Sequence, residues 1–299
     1  MNEMMMGAPL SFMAQIRFFA DVLEKYVPDY KDRMLENKDI RIKDIVTDEN
    51  REDLVKELIS AEEAFQKAMR EEVREFGVDA DPSGLRTRWG KPEINEQVVK
   101  MIEEQYPVEE HKGEVIFYGP SNITLWFSLE KDMEPYKAQN HGMGGCIDDD
   151  LMHYAPRLLY PYEPKVVFFQ TGSNDIAGGI PLETILQNKK KMYAMFLENM
   201  PQAQLVVCSG LPLPGRTQFW DATAETNALL EKMCSETDRL HFLNATDAML
   251  TDNGPEELRT SDGRYFNPSY FRMDRIHLNK KGHDVWTALM KEKLAELGI

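Results

Sequence analysis

The sequence is poor in cysteine. Cys146, Cys208 and Cys234 are the only three in 299 residues, widely spaced and without a C-x-x-C pair, which excludes a disulfide framework and a thiolate zinc site. It also lacks a basic block. Lys and Arg number 35 against 51 Asp and Glu, a formal net charge of −16, with about −10 in the first 110 residues and about −6 in the rest. Acidity spread in this way repels phosphate, so nucleic acid and anionic membrane surfaces are not expected partners. No apolar run approaches the ~18 residues of a membrane span. The opening stretch "MNEMMMGAPLSFMAQIRFFADVLEKY" has no basic n-region and is interrupted by Gln15, Arg17 and Asp21, so it reads as an amphipathic helix and not as a signal peptide. A cytoplasmic location follows as the expectation. No His, Asp and Glu cluster has ligand spacing, so neither a metal nor a cofactor is expected. Internal repeats and low-complexity tracts are absent.

What is present divides into two textures. The first 112 residues read as a helical extension. Phe12, Ile16, Phe19, Leu23 and Tyr26 step by three or four; Leu54, Leu58, Phe65, Met69, Val73 and Phe76 fall on one helical stripe; and Ile94, Val98, Ile102 and Tyr106 form a third, short one. A turn-rich break, "GVDADPSGLRTRWGKP" at 77–92, separates the second stripe from the third. Such faces need burial, either on the rest of the chain or in a homodimer. From residue 113 to 299 short continuous apolar runs appear at 114–119, 165–172, 204–210 and 240–245, with a weaker one at 137–142. Helical segments alternate with them near 147–159, 181–199, 218–235 and 279–297. Continuous apolar strands between helices predict a parallel sheet covered on both faces, here a doubly wound α/β domain of five strands. Chemistry in such folds gathers at the carboxyl ends of the strands.

Four sharp stretches lie there or nearby: "GPSN" at 119–122, "NHGMGGC" at 140–146, "TGSND" at 171–175 and "MDRIHLNKKGHDVW" at 273–286. A serine hydroxyl becomes a nucleophile only when a base takes its proton, which makes Ser121 and His277 a candidate pair. Asp274, three residues before His277, can hold the far ring nitrogen and fix the tautomer. Acyl transfer also needs donors aimed at a developing oxyanion. The candidates are the backbone N–H of Ser121, the backbone N–H of Gly145 and the side-chain amide of Asn174.

Taken together and in this order, the four stretches resemble the motifs of the SGNH (GDSL-type) esterase and lipase superfamily. "GPS" stands for its Gly-Asp-Ser, "NHGMGG" for its Asn-x-Gly-x-Gly-Gly, "GSND" for its Gly-x-Asn-Asp, and "DRIHLN" for its Asp-x-x-His-Leu-Asn. The resemblance covers about 113–299. It implies a flavodoxin-like sheet, a triad of Ser121, His277 and Asp274, and an oxyanion hole from Ser121, Gly145 and Asn174. It implies a serine esterase acting through an acyl-enzyme on a small acyl ester, an acetyl ester of a carbohydrate being the best single guess. Lysophospholipase- or thioesterase-type acylhydrolases and an inactive ligand-binding protein on the same fold are the alternatives. Pro120 departs from the family's usual Asp; that Asp is not a triad member, and proline alters only a local backbone hydrogen bond.

Other residues receive plainer expectations. Arg216, Phe219 and Trp220, in "GLPLPGRTQFWD" after the fourth strand, are candidates for the rim of the acyl or alcohol pocket, with helix anchoring an equal reading for Trp220. Trp126 is expected to pack. Asp175 braces its loop, and Asp148, Asp149 and Asp150 open a helix. His141 stabilises its loop or lies at the pocket rim, and His283 is expected on a helix surface.

Overall fold

The computed structural model describes residues 22–26, 28, 47, 49–50, 52–54, 56–57, 60, 95–126, 128–271 and 275–299, the Gln97 side chain excepted. Most of the first two apolar stripes therefore lies outside the described residues, as do the break at 77–92, Ile94 and Asp274. Of those stripes, Leu23 and Leu54 are buried, and Tyr26 donates to Glu57 at 3.0 Å.

The continuous stretch opens with helix α1 (Glu96–Gln105). Five strands follow: β1 (Val115–Gly119), β2 (Ala138–Gly142), β3 (Val166–Gln170), β4 (Gln204–Cys208) and β5 (Leu240–Leu243). They form one parallel sheet in the order β2-β1-β3-β4-β5. Two short helices, α2 (Ser121–Thr124) and α3 (Leu129–Asp132), lie between β1 and β2. The later connections carry α4 (Asp148–Leu158), α5 (Ser173–Ala177), α6 (Leu182–Asn199) and α7 (Trp220–Ser235). The chain ends in α8 (Lys280–Glu296). All five expected strands are present within a few residues of their sequence positions, the weak one at 137–142 included.

Period-two alternation divides the strands between two cores. Ile116, Tyr118, Val167, Phe169, Leu205 and Val207 face α1, α4 and α6. Val115, Phe117, Val166, Phe168 and Val206 face the opposite layer, with Trp126, Trp286 and α8. Because both faces are covered, β1, β3 and β4 each carry a continuous apolar run in which no alternation is visible, whereas β2 at the sheet edge is mostly polar. Helix ends follow local chemistry. Asp148, Asp149 and Asp150 place negative charge at the positive end of α4. The Asn279 side chain accepts from Gly282 N at 3.2 Å and caps α8.

Helix α1 belongs to the first of these cores. Val98, Val99, Ile102 and Tyr106 are buried there. Arg157 of α4 grips the helix with two charged contacts, to Glu103 Oε1 at 2.7 Å and Glu96 Oε2 at 2.8 Å. A small antiparallel ribbon, β6 (Leu250–Thr251) with β7 (Tyr265–Phe266), precedes the segment that carries His277. Two-residue strands leave no periodicity to find, and the sequence gives no sign of this ribbon. Among the described residues no helix is long and apolar enough to cross a membrane.

Candidate active site

Parallel registry decides which loops meet. Gly119 at the end of β1 pairs with Gly142 at the end of β2, and Tyr118 with Phe169 of β3. The loops that leave these three strands therefore emerge side by side. The chain crosses from one side of β1 to the other between β2 and β3, so they surround a topological switch point, where doubly wound folds place ligands.

The first loop presents Ser121 at the start of α2. The Pro120 carbonyl accepts from Ile123 N at 2.9 Å and Thr124 N at 3.2 Å, which turns the chain sharply after the strand. A first-turn N–H such as that of Ser121 has no carbonyl within the helix to bond. The Ser121 hydroxyl meets His277: Oγ and Nε2 are 2.8 Å apart, although 156 residues separate them in the chain. Asn122 fixes this meeting. Its Oδ1 accepts from Leu278 N at 2.9 Å, so the residue after Ser121 holds the residue after His277. The Asn122 carbonyl lies 3.2 Å from His283 Nε2. His283 is fully buried and stacks on Trp126 with centroids 5.1 Å apart and rings 4° from parallel. The expectation that His283 lies on a helix surface is thus overturned. The signal was present, because His283, Trp286, Met290 and Leu294 step by three or four along the buried face of α8. Trp126 packs as expected and donates to Asp132 Oδ2 at 2.8 Å. Just before His277, Arg275 takes the left-handed conformation with φ 57°, and its carbonyl accepts from Gly215 N at 2.8 Å.

The second loop, after β2, runs against the first. A Cβ at Gly142 would lie 2.3 Å from Thr124 N, so only glycine lets this strand end reach α2. Gly145 has φ 72°, a backbone region that L side chains rarely adopt. Met143 N donates to the Gly119 carbonyl at 2.8 Å and Cys146 N to the Met143 carbonyl at 3.1 Å, closing the turn.

The third loop, after β3, carries Asn174 in the first turn of α5. Its Nδ2 donates to the Cys146 carbonyl at 3.0 Å and so joins the third loop to the second. Arg216 closes over the same loop. One guanidinium nitrogen, Nη1, donates to the Ser173 carbonyl at 3.2 Å, Ser173 Oγ at 3.0 Å and Asn174 Oδ1 at 3.2 Å. Phe219 packs against the cluster of Ile147, Ile176, Ile180 and Ile185. Trp220 donates to the Leu213 carbonyl at 2.9 Å and packs 5.4 Å from Phe266, contacts that anchor its helix.

Beneath the second and third loops lies a buried charge cluster that the sequence reading did not identify as one. Lys189 of α6 and Asp148 of α4 are both fully buried and pair at 3.0 Å. Thr171 donates to Asp148 Oδ1 at 2.6 Å, and Asp148 N donates to Asp175 Oδ1 at 3.1 Å. Asp175 Oδ2 is buried without a hydrogen-bond partner. Burial first, and the Asp148 charge second, push the Asp175 carboxyl far above the ordinary carboxylate range. Lys189 belongs to a run of three lysines, yet it falls on the stripe of Ile185, Met192, Tyr193 and Phe196, and that phase marks it as the lysine that points inward. His141 is buried as well. Its Nδ1 lies 2.7 Å from the Leu158 carbonyl, and burial lowers its pKa to about 3, which suits a neutral structural ring.

The profile of the GDSL-like lipase/acylhydrolase family matches residues 130–285, so it contains the loops of Gly145, Asn174 and His277 and begins just after that of Ser121. No curated protein matches the sequence. Among solved structures, a GDSL-like lipase from Bacteroides thetaiotaomicron is 19% identical with a TM-score of 0.54, over 69% of this chain and 98% of its own. A protein described as a platelet activating factor from Streptococcus pneumonia is 18% identical with a TM-score of 0.56, over 67% of this chain and 92% of its own. At these identities the likeness is one of fold.

Proposed function

The chain belongs to the GDSL-like lipase/acylhydrolase family, and from that premise we propose that it is a serine esterase for small acyl esters, acetyl esters first among them. The observation that carries the reading is the 2.8 Å approach of His277 Nε2 to Ser121 Oγ at the switch point of the sheet. In the proposed reaction Ser121 Oγ attacks the ester carbonyl carbon while His277 takes the hydroxyl proton. The carbonyl π pair moves to oxygen, and the N–H groups of Ser121 and Gly145 and the Asn174 amide receive that charge. Collapse of the tetrahedral intermediate breaks the bond to the alcohol, which leaves with the proton from His277. Water then attacks the acyl-enzyme by the same route and releases the acid. Asp274 is assigned to orient His277. The proposed substrate carries a short acyl group on a polar alcohol such as a sugar. Three buried cysteines that form no disulfide suit a reducing compartment, in keeping with a cytoplasmic site of action.

Turnover of a chromogenic acetyl ester tests the reading. Ser121→Ala and His277→Ala are expected to lower kcat by about 10⁴-fold or more while circular dichroism stays that of the parent. Turnover by either variant near the parent rate would sink the mechanism.

A further inference from the structure

We propose that Arg216 is a positioning residue for Asn174, holding the side-chain amide with its N–H face toward the oxyanion; the inference rests on the esterase reading and deepens it. An asparagine carboxamide has one accepting end and one donating end of nearly equal size. As an oxyanion donor it is useful in one orientation only, because a half-turn about its last bond would aim a carbonyl oxygen at developing negative charge. Something must therefore distinguish the two ends.

The neighbours of Asn174 do so with complementary chemistry. Arg216 Nη1 lies 3.2 Å from Oδ1, and a guanidinium has donors but no acceptor. The Cys146 carbonyl lies 3.0 Å from Nδ2, and a carbonyl accepts but cannot donate. Rotation of the amide would bring N–H against N–H on one side and oxygen against oxygen on the other. Both bonds would be lost together, one of them to a charged donor, the stronger class. In the held orientation Nδ2 carries two N–H bonds. The Cys146 carbonyl takes one, and the other is the donor that the reaction requires.

The same guanidinium nitrogen grips the backbone beside the amide, through the Ser173 carbonyl at 3.2 Å and Ser173 Oγ at 3.0 Å. Arg216 is itself anchored. Its backbone N–H donates to the Leu213 carbonyl at 2.9 Å, and the adjacent Gly215 N–H donates to the Arg275 carbonyl at 2.8 Å, two residues before His277. The loop after β4 thus holds the oxyanion donor with a side chain and the segment of the base with its backbone. A pocket-rim residue that met only the alcohol of the substrate would have no need of three acceptors on the loop of Asn174.

The test is a double-mutant cycle on a chromogenic acetyl ester, using the full chain with Arg216→Met, Asn174→Ala and both changes together. Arg216→Met is expected to lower kcat roughly 10- to 100-fold, at or below the 10²- to 10³-fold cost of losing an oxyanion donor outright, with KM little changed. In the Asn174→Ala background the same change is expected to cost nothing further, and Arg216→Lys to recover part of the loss. An equal loss in both backgrounds, or a raised KM with kcat kept, would overturn the proposal in favour of a structural or a substrate-binding role. A second reading is independent of turnover. In protein labelled with ¹⁵N-asparagine, the Asn174 NH2 pair is identified by its absence in Asn174→Ala. It is expected to shift and to exchange faster with solvent in Arg216→Met, and an unchanged pair would overturn the clamp. If the parent protein hydrolysed no ester, the esterase reading would fall, and the NH2 pair would still decide the role of Arg216.

Discussion

The two halves of the candidate site are held by different physics. On the side of Ser121 and His277, the two residues are kept together by hydrogen bonds and ring stacking without an ion pair: Leu278 N to Asn122, His283 to the Asn122 carbonyl, and His283 on Trp126. On the side of Gly145 and Asn174, the two loops rest on ions: Lys189 and Asp148 pair fully buried, and Arg216 donates to Asn174 Oδ1. A hydrogen bond between uncharged groups that loses one buried partner costs about 1–3 kcal/mol. Buried ions are costly to separate, because each leaves the other without compensation in a medium that solvates it poorly. The half that holds Ser121 and His277 should therefore tolerate change that the half that holds Gly145 and Asn174 does not.

Removing Lys189 is the strongest way to break this contrast. Lys189→Met leaves Asp148 as an unpaired buried charge, which typically costs about 3–5 kcal/mol. Urea denaturation should show that loss, and adding Asp148→Asn should restore much of it. A Lys189→Met protein as stable as its parent would mean that the pair carries no such weight. The neutral half has its counterpart in Asn122→Ala, which strips the acceptor from Leu278 N. The expected loss is smaller, roughly 1–3 kcal/mol, with a fall in kcat as His277 loses its fixed approach to Ser121. If this variant lost more stability than Lys189→Met, the contrast would be reversed.

The smallest effect, measured per pH unit, belongs to Asp175. Its carboxyl is pushed up to about 8 by burial and by Asp148, with Lys189 opposing, whereas in the unfolded chain it titrates near its ordinary value of 3.8. The folded state therefore holds a proton that the unfolded state has released between these two values. Its contribution is intact below the unfolded value and is lost as pH rises toward the folded one, with a slope of up to about 1.4 kcal/mol per pH unit. Asp175→Asn, which keeps a neutral side chain at every pH, should flatten that slope in denaturation midpoints taken from about pH 5 to about pH 8. An unchanged slope would assign the dependence to other groups.

Much of this was legible in the sequence, and what was not has a common cause. Runs such as "KVVFFQTG" announce buried strands because Val166, Val167, Phe168 and Phe169 are apolar without a break, and the sharp loops after them announce a site because glycine, serine and asparagine cluster where strands end. The pairing of Ser121 with His277 could be anticipated from chemistry. The supports could not be read so directly. Asn122 meets Leu278 across 156 residues and Lys189 meets Asp148 across 41, and neither contact leaves a local pattern. Phase along a helix was the one usable clue, since it placed Lys189 and His283 on apolar stripes where a charged or polar side chain needs a buried partner. The role of Arg216 required the amide orientation of Asn174, which only tertiary structure supplies.

The grip of Arg157 on Glu96 and Glu103 bears on where a minimal fragment could begin. Every strand of the sheet lies after residue 113, so the first strand looks like the natural place to cut. A cut there would remove Val98, Val99, Ile102 and Tyr106 from the core they share with Tyr118 and Phe169. Covering such a surface contributes on the order of 1.5–3 kcal/mol for each large apolar side chain. The truncated protein would show water an oily scar with an orphaned arginine at its edge, a surface that invites self-association during expression. A soluble shortened protein is expected to start ahead of α1, where this clasp and not the sheet sets the place to cut.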